Sequence, residues 1–213
     1  MIKINNLTVK FGHRTILDDV NLQFDYGDRI AILGKNGSGK TTFIETIMGL
    51  NKPTSGSIKI APELASHMKA VFQDIGYDAE LTLKELLYFY GMISKTKKFD
   101  NSVFDKYELG HVKNKIFKQL SGGEKQKFKL LLCMEFNPSL IILDELTTSL
   151  DYQWRMDIVD KIEDYLKLNP HSILLLVSHD PVEIRALCNK YYLVKDQKIN
   201  KIDDIDNLFE RRV

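Results

Sequence analysis

Gly34-Lys35-Asn36-Gly37-Ser38-Gly39-Lys40-Thr41 fills every fixed position of the phosphate-loop pattern G-x-x-x-x-G-K-[ST], and no other stretch constrains the fold so tightly. Glycine opens backbone conformations that a Cβ denies to other residues, so successive N–H groups can turn inward around a polyphosphate. Lys40 is placed to reach the β- and γ-phosphates, and the Thr41 hydroxyl to ligate Mg²⁺. Such a loop joins a strand to a helix. Arg29-Ile30-Ala31-Ile32-Leu33 reads as the buried strand, and Thr42 to Leu50 as the helix whose positive N-terminal end faces the anion. The expectation is an α/β chain that binds a nucleoside triphosphate.

Composition narrows the class. A chain of 213 residues makes one large domain, or a core with a subdomain, with room for a substantial apolar interior. A net charge of +1 gives no global field to recruit nucleic acid or a membrane. Cys133 and Cys188 lie in apolar helical contexts without metal-ligand spacing and read as buried free thiols. The chain has no signal-peptide pattern and no apolar run long enough for a bilayer. It is expected to be soluble and cytosolic, serving a membrane only through a partner.

Ile2-Lys3-Ile4-Asn5 and Val20-Asn21-Leu22-Gln23-Phe24 alternate apolar and polar residues, as antiparallel strands beside a main sheet do. Asn5-Asn6 is read as the break after the first. Ser57 to Ile60 and Val71-Phe72-Gln73 follow as short strands. Thr82-Leu83-Lys84-Glu85 is a capping box opening an amphipathic helix to about Ile93. Strand signal is sparse from about 76 to 119, which is read as an inserted helical subdomain. Residues 1–75 and 120–213 are then the nucleotide-binding core and its antiparallel part.

Leu140-Ile141-Ile142-Leu143 and Ile173-Leu174-Leu175-Leu176-Val177 are apolar without alternation, as parallel strands covered on both faces are. Ligands bind beyond the carboxyl ends of such strands, where the loop, Gln73, Asp144-Glu145 and His179 all fall. Buried strand-end acids need a metal or hydrogen bonds. Asp144 fits the metal role, and Glu145 the base that polarises an attacking water. Gln73 can orient water or complete the Mg²⁺ shell, and His179 can bond the γ-phosphate. Asp180 and Pro181 start the next helix. Ser121 and Glu124 form a second capping box with Gly122 and Gly123 between them, leaving a second anion-binding helix start of unstated use.

Leu120-Ser121-Gly122-Gly123-Glu124 resembles the signature motif of ABC-type ATPases, the nucleotide-binding subunits of ABC transporters, and the other motifs follow in family order. Phe11 resembles the aromatic that stacks on adenine. Gly34 to Thr42 resemble Walker A, Gln73 the Q-loop, Leu140 to Glu145 Walker B with the catalytic glutamate, Ser149-Leu150-Asp151 the D-loop, and His179 the switch histidine. The resemblance implies a phosphate-loop NTPase core with a mainly parallel sheet flanked by helices, an antiparallel β part and a helical insert. It implies two ATPase subunits, a homodimer here, enclosing two ATP with Mg²⁺. Each ATP would lie between one Walker A loop and the other subunit's Ser121-Gly122-Gly123-Glu124. It also implies integral membrane permease subunits that hold the chain on the inner face of the cell membrane, with no nucleic acid and no direct membrane insertion. Leu146 stands where the family usually has proline, Glu124 where it has glutamine and Lys127 where it has arginine. The sequence stops soon after Lys198 to Ile202, so an appended regulatory domain is not expected. Leu81 to Glu85 with Tyr88-Phe89-Tyr90 resemble exporter-associated members, so export is the expected direction. The alternative is a soluble ABC-type ATPase, as in iron–sulfur assembly or nucleic-acid maintenance.

Overall fold

Hydrophobic alternation, or its absence, sorts the strands into two sheets. The computed structural model describes residues 1–72, 80–94, 99–145 and 150–209. The chain begins with β1 (Ile2–Phe11), β2 (Arg14–Phe24), β3 (Arg29–Leu33), α1 (Lys40–Ile47), β4 (Ser55–Ile60), α2 (Pro62–Ser66) and β5 (Met68–Val71). Next come α3 (Leu83–Ile93), α4 (Ser102–Lys106), α5 (Gly122–Met134), β6 (Leu140–Asp144), α6 (Tyr152–Leu168) and β7 (Ile173–Val177). The last elements are α7 (Pro181–Leu187), β8 (Lys190–Lys195), β9 (Lys198–Ile202) and α8 (Asp206–Phe209).

The alternating strands form an antiparallel sheet in the order β2-β1-β4. Asn5-Asn6 bends β1 rather than ending it. The register shifts between Ile4 and Leu7, Asn6 turns left-handed at φ 47°, and its amide donates to Asp19 Oδ1 at 2.8 Å, so a bulge absorbs the polar pair. The continuous apolar strands lie in a six-stranded sheet, β5-β6-β7-β3-β8-β9, parallel except for β9. Ile30, Ile32, Ile142 and Leu175 face one hydrophobic cluster with α1 and the antiparallel sheet. Ala31, Leu33, Ile141 and Leu176 face the other, with α3, α5 and α6. Two covered faces are the reason these strands do not alternate.

Several boundaries differ from expectation: β1, β2 and β4 run longer than the alternating stretches that marked them. The loop helix starts at Lys40 and ends at Ile47, earlier than Thr42 to Leu50, with Gly49 at φ 76° behind it. The strand expected over Val71 to Gln73 is β5, Met68–Val71, and Gln73 lies outside the described residues. β8 was not anticipated, because Lys190 and Lys195 flank a run of only four apolar residues. The α3 capping box forms as expected, with Thr82 N–H donating to Glu85 Oε2 at 2.8 Å. Between β5 and α5 the described residues hold helices, short 3-10 turns and one isolated bridge, Thr82 to Ile116. Both cysteines are buried and free, and burial pushes the Cys133 thiol up to about 12. Among the described residues no helix is long and apolar enough to cross a membrane.

Candidate functional site

The parallel sheet delivers its chemistry at the carboxyl ends of β3, β6 and β7. After β3, Gly34 takes φ 147°, and a Cβ there would lie 2.6 Å from the Val194 carbonyl oxygen of β8. Gly39 takes φ 107°, with a Cβ 2.8 Å from Ile16 Cγ2. Torsion and space together demand glycine at both ends of the loop. Gly34→Ala is expected to lower stability by about 1–3 kcal/mol, read as a fall in the denaturant midpoint; an unchanged midpoint contradicts the crowding.

Lys40 is buried at the first position of α1, and its Nζ donates to the Gly34 and Lys35 carbonyls at 2.9 and 3.2 Å. Burial pushes this ammonium down, while Glu145 and Asp144 hold it up. No acidic side chain occupies the first turn of α1, so its positive end remains available to an anion. Thr41 Oγ1 donates to Asp144 Oδ2 at 3.2 Å. Asp144 closes β6 almost fully buried; burial raises its carboxyl, the Thr41 bond lowers it and Glu145 raises it again.

Glu145 lies past the end of β6 at φ 52°, with its N–H donating to the Val177 carbonyl at 2.9 Å. Asp144 and Glu145 therefore diverge through a left-handed turn, not through strand alternation. Glu145 Oε1 is 3.5 Å from His179 Nε2. His179 itself is flanked by anchored groups. Asp180 caps α7 through Val182 N–H at 2.8 Å and accepts Arg155 Nη1 at 2.9 Å, while its own N–H donates to Ser178 Oγ.

A buried cation beside a buried carboxylate, each pushed toward neutrality, is the donor set that a triphosphate with a hard divalent cation satisfies. Ser38 Oγ adds a buried donor with no hydrogen-bond partner among the described residues. The residues present fit both groups. A cavity of about 460 Å³ runs beside the loop, lined by His13, Arg14, Ile16, Ser38 and Gln197 among others. Phe11, half exposed, ends β1 at the same hairpin.

The second helix start is less bare than expected. Ser121 caps α5, and Glu124 Oε2 takes both the Ser121 N–H at 2.7 Å and its hydroxyl at 2.8 Å. The first helical bond of α5 is Lys125 N–H to the Ser121 carbonyl, so the Gly122 and Gly123 amides precede the ladder. Asp151 caps α6 by accepting Trp154 N–H at 3.0 Å.

The fold thus brings Gly34 to Thr42, Asp144, Glu145 and His179 together, while Ser121 to Glu124 and Asp151 open separate helices. Gln73 and Ser149 are outside the described residues. Sequence reasoning missed Arg155, which fixes Asp180, and Lys129, whose buried Nζ donates to the Phe72 carbonyl at 2.8 Å. Only the helical phase of Lys129 among apolar neighbours marked it as unusual.

A glycine-rich loop between a parallel strand and a helix, with strand-end acids beside it, defines a phosphate-loop nucleoside triphosphatase. The family model described as ABC transporter matches residues 17–148, more than half of the chain. The chain belongs to that family as an ABC transporter ATP-binding subunit, and it is an ATPase. "Probable peptide export ATP-binding protein YydI" of Bacillus subtilis is 29% identical over 214 residues, covering 98% of each chain. The zinc import ATP-binding protein ZnuC of Marinobacter nauticus is 31% identical over 186 residues, covering 84% of this chain and 68% of its own. A solved dimeric ATP-binding cassette in a post-hydrolysis state with ADP and Pi superposes with a TM-score of 0.82 at 25% identity, covering 95% of this chain and 98% of its own.

Proposed function

We propose that this chain works as one of two identical ATPase subunits that close around two ATP and drive integral membrane permease subunits, in the export direction. The observation that carries this reading is the split of anion-binding chemistry between two helix starts. α1 has the loop, Lys40 and the strand-end acids, whereas α5 offers the Gly122 and Gly123 amides with none of them. Two chains packed head to tail would complete each site.

In that assembly Phe11 stacks on adenine, and the 34–42 backbone with Lys35, Asn36, Gly37, Ser38, Gly39, Lys40 and Thr42 cradles the phosphates. Thr41, Gln73 and Asp144 would hold Mg²⁺, which when bound supplies charge neutralisation at the β- and γ-phosphates. Glu145 accepts the proton of the attacking water, and His179 steadies the γ-phosphate as its bond to ADP breaks. Ser121, Gly122, Gly123 and Glu124 meet the γ-phosphate bound to the other subunit, and Asp151 lies on the segment between the two sites. Hydrolysis then removes the charge that bridges the chains.

Residues from about 76 to 119 serve as a helical subdomain. The exposed Tyr88, Phe89, Met92 and Ile93 of α3 form an apolar surface suited to a permease on the cytoplasmic face of the membrane. The end-to-end likeness to YydI, named for peptide export, supports the direction.

Ser121→Arg tests the arrangement. One-site ATP binding is expected to persist while ATP-dependent dimerisation is lost by light scattering; an undiminished dimer removes α5 from the partner's site.

A further inference from the structure

Glu124 places a negative charge at the helix start that would receive the partner-bound triphosphate. Its Oε2 engages the Ser121 amide and hydroxyl at 2.7 and 2.8 Å, and its Oε1 lies 3.1 Å from His111 Nε2. His111 stands on the short turn Gly110–Val112, with its ring 68% exposed against 21% for the Glu124 side chain. The Ser121 amide first, then its hydroxyl, then His111 and the Lys115 charge hold the Glu124 carboxyl below the usual range. Glu124 is therefore ionised at neutral pH.

An arriving phosphate meets this carboxylate and must compete with it for the Ser121 hydroxyl proton. A neutral imidazole can donate to Oε1 but leaves the charge in place, whereas an imidazolium offsets it. Among the described residues, Lys115 from the connecting segment acts on Glu124, and Asp105 of α4 places its Oδ1 against Gly110. Lys125 and Lys127 of α5 are drawn to the Phe117 ring and to Glu108.

We infer that His111 is a positioning residue for ATP-driven closure, acting through Glu124: its protonated form reduces the negative charge that the partner-bound γ-phosphate encounters. This rests on the two-chain reading above. Glutamine at 124 keeps the capping box, since the N3 position takes either residue, and it removes the charge.

The test measures the dimer dissociation constant with Mg-ATP, by light scattering, in a Glu145→Gln chain at about pH 6 and about pH 8.5. His111→Ala is expected to weaken the dimer about twofold to fivefold at the lower pH and to leave it unchanged at the higher, as loss of one exposed charge pair does. Glu124→Gln is expected to tighten the dimer at the higher pH and to cancel the effect of His111→Ala. A His111→Ala chain with the full pH response of its parent, or an equal His111→Ala effect with glutamine at 124, overturns the inference alone. No ATP-dependent dimer in any variant overturns the two-chain reading as well.

Discussion

Glu145→Gln is expected to reduce steady-state phosphate release by a factor of about 10²–10⁴, the usual contribution of a positioned general base, while ATP binding survives. The amide keeps the shape of the side chain but takes up no proton from water. The hydrogen bonds of the phosphate loop, from Lys40 to the Gly34 and Lys35 carbonyls and from Thr41 to Asp144, are made without its carboxylate. The left-handed backbone of Glu145 is tied by its own N–H to Val177, a bond that glutamine preserves. The check is phosphate release at saturating ATP together with equilibrium nucleotide binding. Wild-type turnover removes Glu145 from the base role, and loss of binding shows that the site has collapsed.

Lys40→Ala is expected to act one step earlier, weakening ATP binding by about tenfold to a hundredfold, the value of one charge-assisted contact to phosphate. Lys40 is buried as a residue, and burial already pushes its ammonium toward the neutral form. The two loop carbonyls hold it in the meantime, and a polyanion would be the stronger partner. Equilibrium binding of a fluorescent ATP analogue reads this directly. Unchanged affinity would mean that the backbone amides alone carry the triphosphate.

The sequence was most legible where one local rule decides the outcome. Unbroken apolarity in Leu140 to Leu143 and Ile173 to Val177 marked strands with two covered faces, and these are β6 and β7. The capping boxes at Thr82 and Ser121 are chemistry within four residues, and both form. β8 was illegible because its run is short and one of its two partners, β3, lies about 160 residues away; pairing with β3 and with β9 supplies what the apolar run lacks. Asn6 looked like a terminator because a two-residue polar break cannot announce the Asp19 side chain that stabilises it as a bulge. The meeting of Glu145 with His179 followed from both standing at parallel strand ends. The left-handed turn at Glu145 did not, because an acidic residue gives little sign of that conformation.

The central claim is that ATP joins two copies of this chain. The most direct measurement is the molar mass of the Glu145→Gln chain by light scattering, without nucleotide and then with Mg-ATP. The account predicts a rise from the 24.6 kDa of one chain to about twice that value, reversed when the nucleotide is removed. A mass that stays at one chain under saturating, verified ATP binding contradicts it.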